Sequence, residues 1–305
     1  MQATSHLLMI EPVNFGFNAE TAVNNTFQKN TGDGLQQKAL EEFNELLSLL
    51  RKNKIDVTVV KDTELPHTPD SIFPNNWISF HQDGKVFLYP MFSANRRLER
   101  KQSVLSALKE RYLFNETIDL SDYEERGYYL EGTGSMVLDR VNRVLYACLS
   151  PRTSPELLRS FCNINQYTSI EFTAKDKTGI NIYHTNVMMC VADRYAVVCL
   201  ASISNKTERE QLIASLNLTG KEIIDINFEQ LNCFAGNMLQ VLNADAEYLL
   251  VMSTQAHSSL NADQVERLER YNRIIHSPLN HIESAGGGSA RCMIAEIFLQ
   301  PKTNR

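Results

Sequence analysis

At 305 residues, with 43% apolar and 22% charged side chains, the chain has the composition of a folded globular protein, which excludes a disordered tail or a fibrous repeat. A formal charge of −6 with no long basic run argues against nucleic acid or an anionic membrane as partner. The opening MQATSHLLMIEP lacks the cationic start and long apolar core of a leader, and no apolar run approaches the roughly 18 residues of a spanning helix, so a soluble, cytoplasmic protein acting on a small molecule is expected.

The first strand-like run is HLLMIEP, from His6. GLQQKALEEFNELLSLLRKN then predicts a helix with Leu35, Leu40, Phe43, Leu47 and Leu50 at helical spacing, followed by a strand in KIDVTVV. From Asn76, NWISFHQDGKVFLYP reads as a hairpin, RRLERKQSVLSALKERY as a helix and NETIDL as a strand. The same order recurs from Gly134 (GSMVLDRVNRVLYACLS, SPELLRSFC, YTSIEF) and from Asn186 (NVMMCVADRYAVVCLAS, TEREQLIASL, EIIDI). It recurs again from Asn237 (NMLQVLNADAEYLLVMS, NADQVERLERYNRII and, less clearly, HSPLNHI).

The four hairpins start 58, 52 and 51 residues apart, the near-constant period of a repeated supersecondary unit. A fifth hairpin needs the C-terminal CMIAEIFL paired with the N-terminal HLLMIEP, which closes a ring. The expected fold is therefore α/β: five ββαβ modules around a pseudo-fivefold axis, in one domain spanning 1–305. An ordinary mixed α/β sheet is the alternative. In the ring, the loops that open the hairpins converge at a central mouth: FPNN (73–76), LEGTG (130–134), YHTN (183–186), CFAGN (233–237) and GGGSARC (286–292).

These loops carry one cysteine beside a glycine run, one histidine at a strand start and one glutamate between a leucine and a glycine. A cysteine attacks only as thiolate and needs help to ionise at neutral pH. Cys292 has glycines before it whose bare backbone lets a substrate come close, His184 is a candidate base, and Glu131 could hold the imidazole or bind a substrate nitrogen. The other histidines show no metal-ligand spacing, and the six cysteines form no C-x-x-C pair, so reduced thiols and no metal are expected. Cys148, Cys162, Cys190, Cys199 and Cys233 mostly sit in apolar runs and read as packed small hydrophobes. GGGSAR lacks the frame of a phosphate loop.

Six ordered blocks, PDSIFPNNWISF, LEGTGSMVLD, LSPRTSPE, YHTNVMM, FAGNMLQV and GGGSARCM, resemble the guanidine-modifying superfamily. That superfamily has a five-bladed α/β propeller (pentein) fold and includes arginine deiminases, dimethylarginine hydrolases and amidinotransferases. The chain looks most similar to its amidinotransferase-like, citrulline-utilisation hydrolase branch. The resemblance implies Cys292 as nucleophile, His184 as acid and base, and Glu131 as the group that orients histidine and substrate nitrogens. Neither metal nor organic cofactor is implied. Arg152, Arg97 or its neighbour Arg96, and Asp70 would grip the amino-acid end of the substrate, with Asn75, Asn76, Asn186 and Asn237 as further contacts.

Two departures bear on substrate. Arginine deiminases carry aspartate where this chain has Asn76, and His-x-Asp where it has His184-Thr185-Asn186. Paired carboxylates suit a cationic guanidinium, whereas a carboxamide both donates and accepts and suits a neutral ureido group. A citrulline-like substrate, split toward ornithine, ammonia and carbon dioxide, is the expectation. The rival readings are an amidinotransferase and a non-catalytic binding member of the fold. The expected partner is a small-molecule amino acid, and nothing in the sequence opposes a homo-oligomer.

Overall fold

The computed structural model describes residues 1–30, 32 and 34–302. Strand β1 (His6–Glu11) is followed by the helix Leu35–Lys52 and β2 (Asp56–Lys61). The next module contains β3 (Ile78–Phe80), β4 (Lys85–Leu88), the helix Gln102–Arg111 and β5 (Glu116–Asp119). Then come β6 (Val137–Asp139), β7 (Val144–Cys148), the helix Pro155–Asn165 and β8 (Thr168–Phe172). β9 (Met189–Val191), β10 (Tyr195–Val198), the helix Lys206–Leu218 and β11 (Glu222–Asp225) repeat the pattern. The last full copy is β12 (Leu239–Leu242), β13 (Tyr248–Ser253), the helix Ala262–Glu269 and β14 (Arg273–Ser277), before β15 (Ala295–Glu296).

The strands form five separate three-stranded sheets, ordered β15-β1-β2, β3-β4-β5, β6-β7-β8, β9-β10-β11 and β12-β13-β14. In each, the first pair is antiparallel and the second parallel, as a hairpin followed by a crossover helix requires. The terminal strands do pair, Leu7 opposite Glu296 and Leu8 opposite Ala295. Adjacent modules touch through their first strands, β15 against β3, β6 against β9 and β9 against β12. The apolar faces close between sheet and helix: Phe43, Leu46, Leu47 and Leu50 pack with Leu7, Met9 and Val57. Among the described residues, no helix is long and apolar enough to cross a membrane.

Two predicted elements change. The helix expected over RRLERKQSVLSALKERY is broken: a single turn, Ala94–Arg97, precedes the helix Gln102–Arg111. The interruption lies at Lys101, whose backbone is extended (φ −80°, ψ 133°) and whose ammonium is held by Asp62 and Thr68. The helix expected through NADQVERLERYNRII stops at Glu269, and its Arg273–Ile275 end lies instead in β14. Pairing with β13, Leu249 opposite Arg273 through Ser253 opposite Ser277, overrides the helical pattern, and HSPLNHI runs on into the helix Asn280–Gly286.

Candidate active site

Cys292 lies in the turn after the helix Asn280–Gly286, with its backbone N–H bonded to the Ser289 carbonyl at 2.9 Å. Its sulfur accepts from two carboxamides, Asn237 Nδ2 at 3.3 Å and Asn186 Nδ2 at 3.6 Å. Asn237 is itself fixed at both ends, donating to the Asn186 carbonyl at 2.7 Å and accepting from the Arg291 N–H at 3.1 Å. Burial pushes the Cys292 thiol up, and these donors, with the Ser289 backbone and Arg291, only partly offset that. The neutral thiol is therefore the favoured form in this cleft.

His184 lines the same cleft and is 3% exposed. Its Nε2 lies 2.7 Å from Glu131 Oε2. Glu131 is wholly buried; its other oxygen accepts the Phe92 N–H at 3.0 Å, and Arg152 Nη1 stands 3.4 Å from Oε2. Burial raises the Glu131 pKa, but Arg152 and His184 outweigh it and hold the carboxyl well below the usual range. A carboxylate can only accept, so Nε2 carries the hydrogen and Nδ1 presents a lone pair. Of the two roles open to Glu131 from the sequence, the geometry pairs it with the imidazole. Burial drives His184 down to about 4 against the pull of Glu131, so the imidazole is neutral at pH 7.

Asn76 is 2% exposed and its Oδ1 accepts from Arg96 Nη1 at 2.9 Å, which leaves Nδ2 without a protein partner. Asn186 has the opposite arrangement: Nδ2 serves the sulfur and Oδ1 is unpartnered. A third unpartnered atom is Oδ1 of Asp70, whose Oδ2 is taken by Asn18 and Thr21. Gly134 must lack a side chain: a Cβ there would lie 2.3 Å from Asn76 Nδ2 and 3.0 Å from His184 Nδ1.

The glycines before Cys292 have a more specific use than clearance over the thiol. A Cβ on Gly286 or Gly288 would strike the Phe73 ring at 2.7 or 3.0 Å, and Gly287, at φ +63°, would meet Asn25 at 2.5 Å. Phe73, from the predicted FPNN loop, is thus part of the cleft wall together with Thr21 and Asn25 of the segment 14–30, which is none of the five predicted loops. Asn25 Nδ2 donates to the Gly287 carbonyl, Lys29 N–H to the Ser284 carbonyl at 2.6 Å, and Tyr183 Oη to the Gly287 carbonyl at 2.6 Å. Arg152 binds Asn24 through Nε at 2.9 Å and the Thr21 carbonyl through Nη2 at 2.8 Å. The available signal was a long segment, rich in Asn and Thr, between a strand and a helix.

The cleft gathers Asp70, Asn76, Arg152, His184 and Cys292 directly, with Glu131, Asn186 and Asn237 one contact behind. It does not gather Arg97. That side chain donates to the carbonyls of Met91 and Phe92 and faces Glu124, and of the two neighbours it is Arg96 that lines the cleft, with Arg152. Asn75 also stands behind the wall, its carbonyl accepting from Thr133 Oγ1 at 3.3 Å. Among the described residues, no three His, Cys, Asp or Glu side chains gather as a metal site.

The fold matches solved structures of low sequence identity. Full-length ArgZ, an arginine dihydrolase from the ornithine–ammonia cycle in cyanobacteria, superposes with TM-score 0.75 and 18% identity over 96% of this chain, which spans 40% of that protein. Its N-terminal domain is covered to 99%, again at TM-score 0.75 and 18% identity, in a cysteine-to-serine mutant bound to substrate. The same domain is known covalently bonded to a reaction intermediate. The dimethylarginine hydrolase DDAH from Pseudomonas aeruginosa, a cysteine-to-serine mutant complexed with citrulline, gives TM-score 0.70 and 15% identity over 97% of this chain and 100% of that one. No curated protein sequence matches.

Those structures show the fold, and a family pattern over nearly the whole chain defines the class: the chain is a member of the guanidine-modifying superfamily. Within it the family pattern described as N,N dimethylarginine dimethylhydrolase, eukaryotic, matches residues 11–299. The chain belongs to that family.

Proposed function

We propose that the chain hydrolyses a C–N bond in the ureido or guanidino group of an arginine-like amino acid, with a citrulline-type substrate favoured, through a covalent adduct on Cys292. One observation carries the choice of substrate. Asn76, which lines the cleft, has only N–H donors left to offer a ligand, because Arg96 takes its oxygen. A ureido group has a carbonyl to accept from Asn76, whereas a guanidinium has no acceptor to offer. The covalent intermediate known in the ArgZ domain supports an adduct, and the citrulline complex of the Pseudomonas enzyme supports a cleft of this fold that accommodates a ureido amino acid.

In the proposed mechanism the thiol proton passes to His184 Nδ1 and the sulfur bonds to the ureido carbon, the carbonyl pair moving to oxygen. Collapse expels the terminal nitrogen as ammonia, which takes its proton from the imidazolium, and leaves an S-carbamoyl cysteine. Water then gives a proton to the imidazole and attacks, the C–S bond breaks, the imidazolium returns that proton to the thiolate, and the released carbamic acid moves its own proton to nitrogen as it splits to ornithine and carbon dioxide. Asp70 Oδ1 is suited to the substrate ammonium, and the unused Nη1 hydrogen of Arg152 to its carboxylate. The same reading takes the chain as one domain, its five sheets as blades of an α/β propeller and the cleft as the propeller's mouth. The touching first strands of neighbouring sheets support it.

The test is ammonia release from citrulline, arginine, methylated arginines and agmatine. Citrulline is expected to give the highest kcat/KM, with ornithine as co-product; turnover confined to arginine or its methylated forms would sink the ureido reading. A pH profile checks the protonation states. The reactive thiolate–imidazolium pair has the same proton count as thiol–imidazole, so its share is independent of pH between the two titrations. The expected profile for citrulline kcat/KM is a plateau that falls below about pH 4, where His184 gains its second proton, and at alkaline pH beyond the ordinary thiol range. A sharp optimum at neutral pH contradicts it.

A further inference from the structure

Arg96 was expected, from the sequence, to be one of two residues that could grip a substrate carboxylate, yet most of its donors are already used inside the protein. Nε and Nη2 form a two-pronged pair with Glu99, at 2.9 and 3.0 Å, and Nη2 also reaches the Phe73 carbonyl at 3.3 Å. Nη1 donates to Asn76 Oδ1 at 2.9 Å. The side chains of Arg96 and Glu99 are only 3% and 1% exposed. Asp70 Oδ2 lies 3.9 Å from Arg96 Nε, adding charge but no further direction to the guanidinium.

The two ends of a carboxamide are nearly the same shape, so packing alone does not choose which of them faces a substrate. A guanidinium chooses, because it can only donate: the Asn76 atom against Nη1 has to be oxygen, and Nδ2 has to point the other way. Nδ2 is indeed buried and unpartnered, and it stands on the side occupied by Gly134 and His184. Glu99 takes up the other edge of the guanidinium and so aims Nη1 at Asn76. Glu99 itself is not among the cleft-lining residues.

We propose that Glu99 and Arg96 are positioning residues that lock the Asn76 carboxamide with its donor end toward the cleft, and so set the enzyme's discrimination for a carbonyl-bearing ureido substrate over an all-donor guanidinium. This rests on the ureido reading above. With the lock in place, a guanidinium meets N–H against N–H at Asn76. With the lock loosened, the carboxamide turns over, presents Oδ1 and accepts from the cation.

The experiment measures citrulline kcat/KM and the competitive inhibition constant of arginine in the wild type, Glu99→Gln and Arg96→Lys. Glu99→Gln keeps the shape but sets an amide N–H against the guanidinium, and Arg96→Lys keeps the charge but loses the planar fork. Thermal melts report whether each variant is folded, and the two act as independent probes. The expected result is opposite movement: citrulline kcat/KM falls about tenfold while arginine binds about tenfold more tightly. A merely structural role lowers the first and leaves the second unchanged or weaker, and that outcome in the folded variants overturns the proposal. The aspartate variant Asn76→Asp supplies a second check. Both its oxygens accept, so turning the group over changes nothing, and adding Glu99→Gln should leave arginine inhibition where Asn76→Asp alone put it; additive tightening counts against the lock. Absence of citrulline turnover in the wild type sinks the ureido reading, whereas citrulline turnover with arginine inhibition unmoved in the variants sinks the lock alone.

Discussion

Cys292→Ser is expected to lose citrulline turnover by on the order of 10⁴-fold while still binding the amino acid. The reason is chemical rather than structural. The sulfur is held by Asn237 and Asn186 on a turn whose hydrogen bonds are made by the backbone and by neighbouring side chains, so serine leaves that scaffold intact. What disappears is an atom that can be ionised by the proposed proton transfer to His184. Burial already raises the thiol, and a hydroxyl in the same place starts from a far higher pKa. Ammonia release under saturating citrulline measures the loss, and calorimetric titration measures the binding that remains. Residual turnover within tenfold of the wild type would rule out Cys292 as the nucleophile. Cysteine-to-serine mutants of the ArgZ domain and of the Pseudomonas enzyme carry bound substrate and citrulline, which makes the binding half of the expectation reasonable.

The second large effect is expected from Asn76→Asp. One carboxylate oxygen takes the place of Oδ1 against Arg96, and the other replaces the free N–H donors with an acceptor that carries charge. The citrulline carbonyl then faces an oxygen instead of a donor, and a guanidinium gains both an acceptor and a counter-charge. The ratio of kcat/KM for arginine to that for citrulline is expected to rise by on the order of 10²-fold or more, in keeping with the cost of leaving a buried polar group mismatched. Steady-state kinetics on the two substrates decides it. An unchanged ratio would separate Asn76 from substrate choice and return that role to the rest of the cleft.

How much of this was readable before folding depends on the range of the interaction concerned. The hairpins and helices repeat at a near-constant period because each module must cover the same kind of sheet face, so their apolar pattern is written locally. Even the pairing of β1 with β15 follows from counting modules, although its residues lie at opposite ends of the chain. Cys292, His184 and Glu131 stand out as candidates in the sequence because they occupy corresponding loops, where few other groups could ionise or transfer a proton.

Orientation was not legible. Arg96 and Arg97 are adjacent in one helical turn, and nothing in RRLER says which faces the cleft; Glu99 and Asn76 claim the first, and Glu124 with two carbonyls claims the second. The segment 14–30 escaped notice for a related reason, since an Asn- and Thr-rich stretch carries no apolar period and takes its shape from Arg152, Asp70 and the glycine loop. Sequence alone thus determined the repeated modules and the residue types available for chemistry, both set by local pattern. Only the tertiary structure decided which end of each carboxamide is free, because that depends on a donor or acceptor brought in by folding: Arg96, from the far side of the same module, for Asn76, and the sulfur of Cys292, from another module, for Asn186.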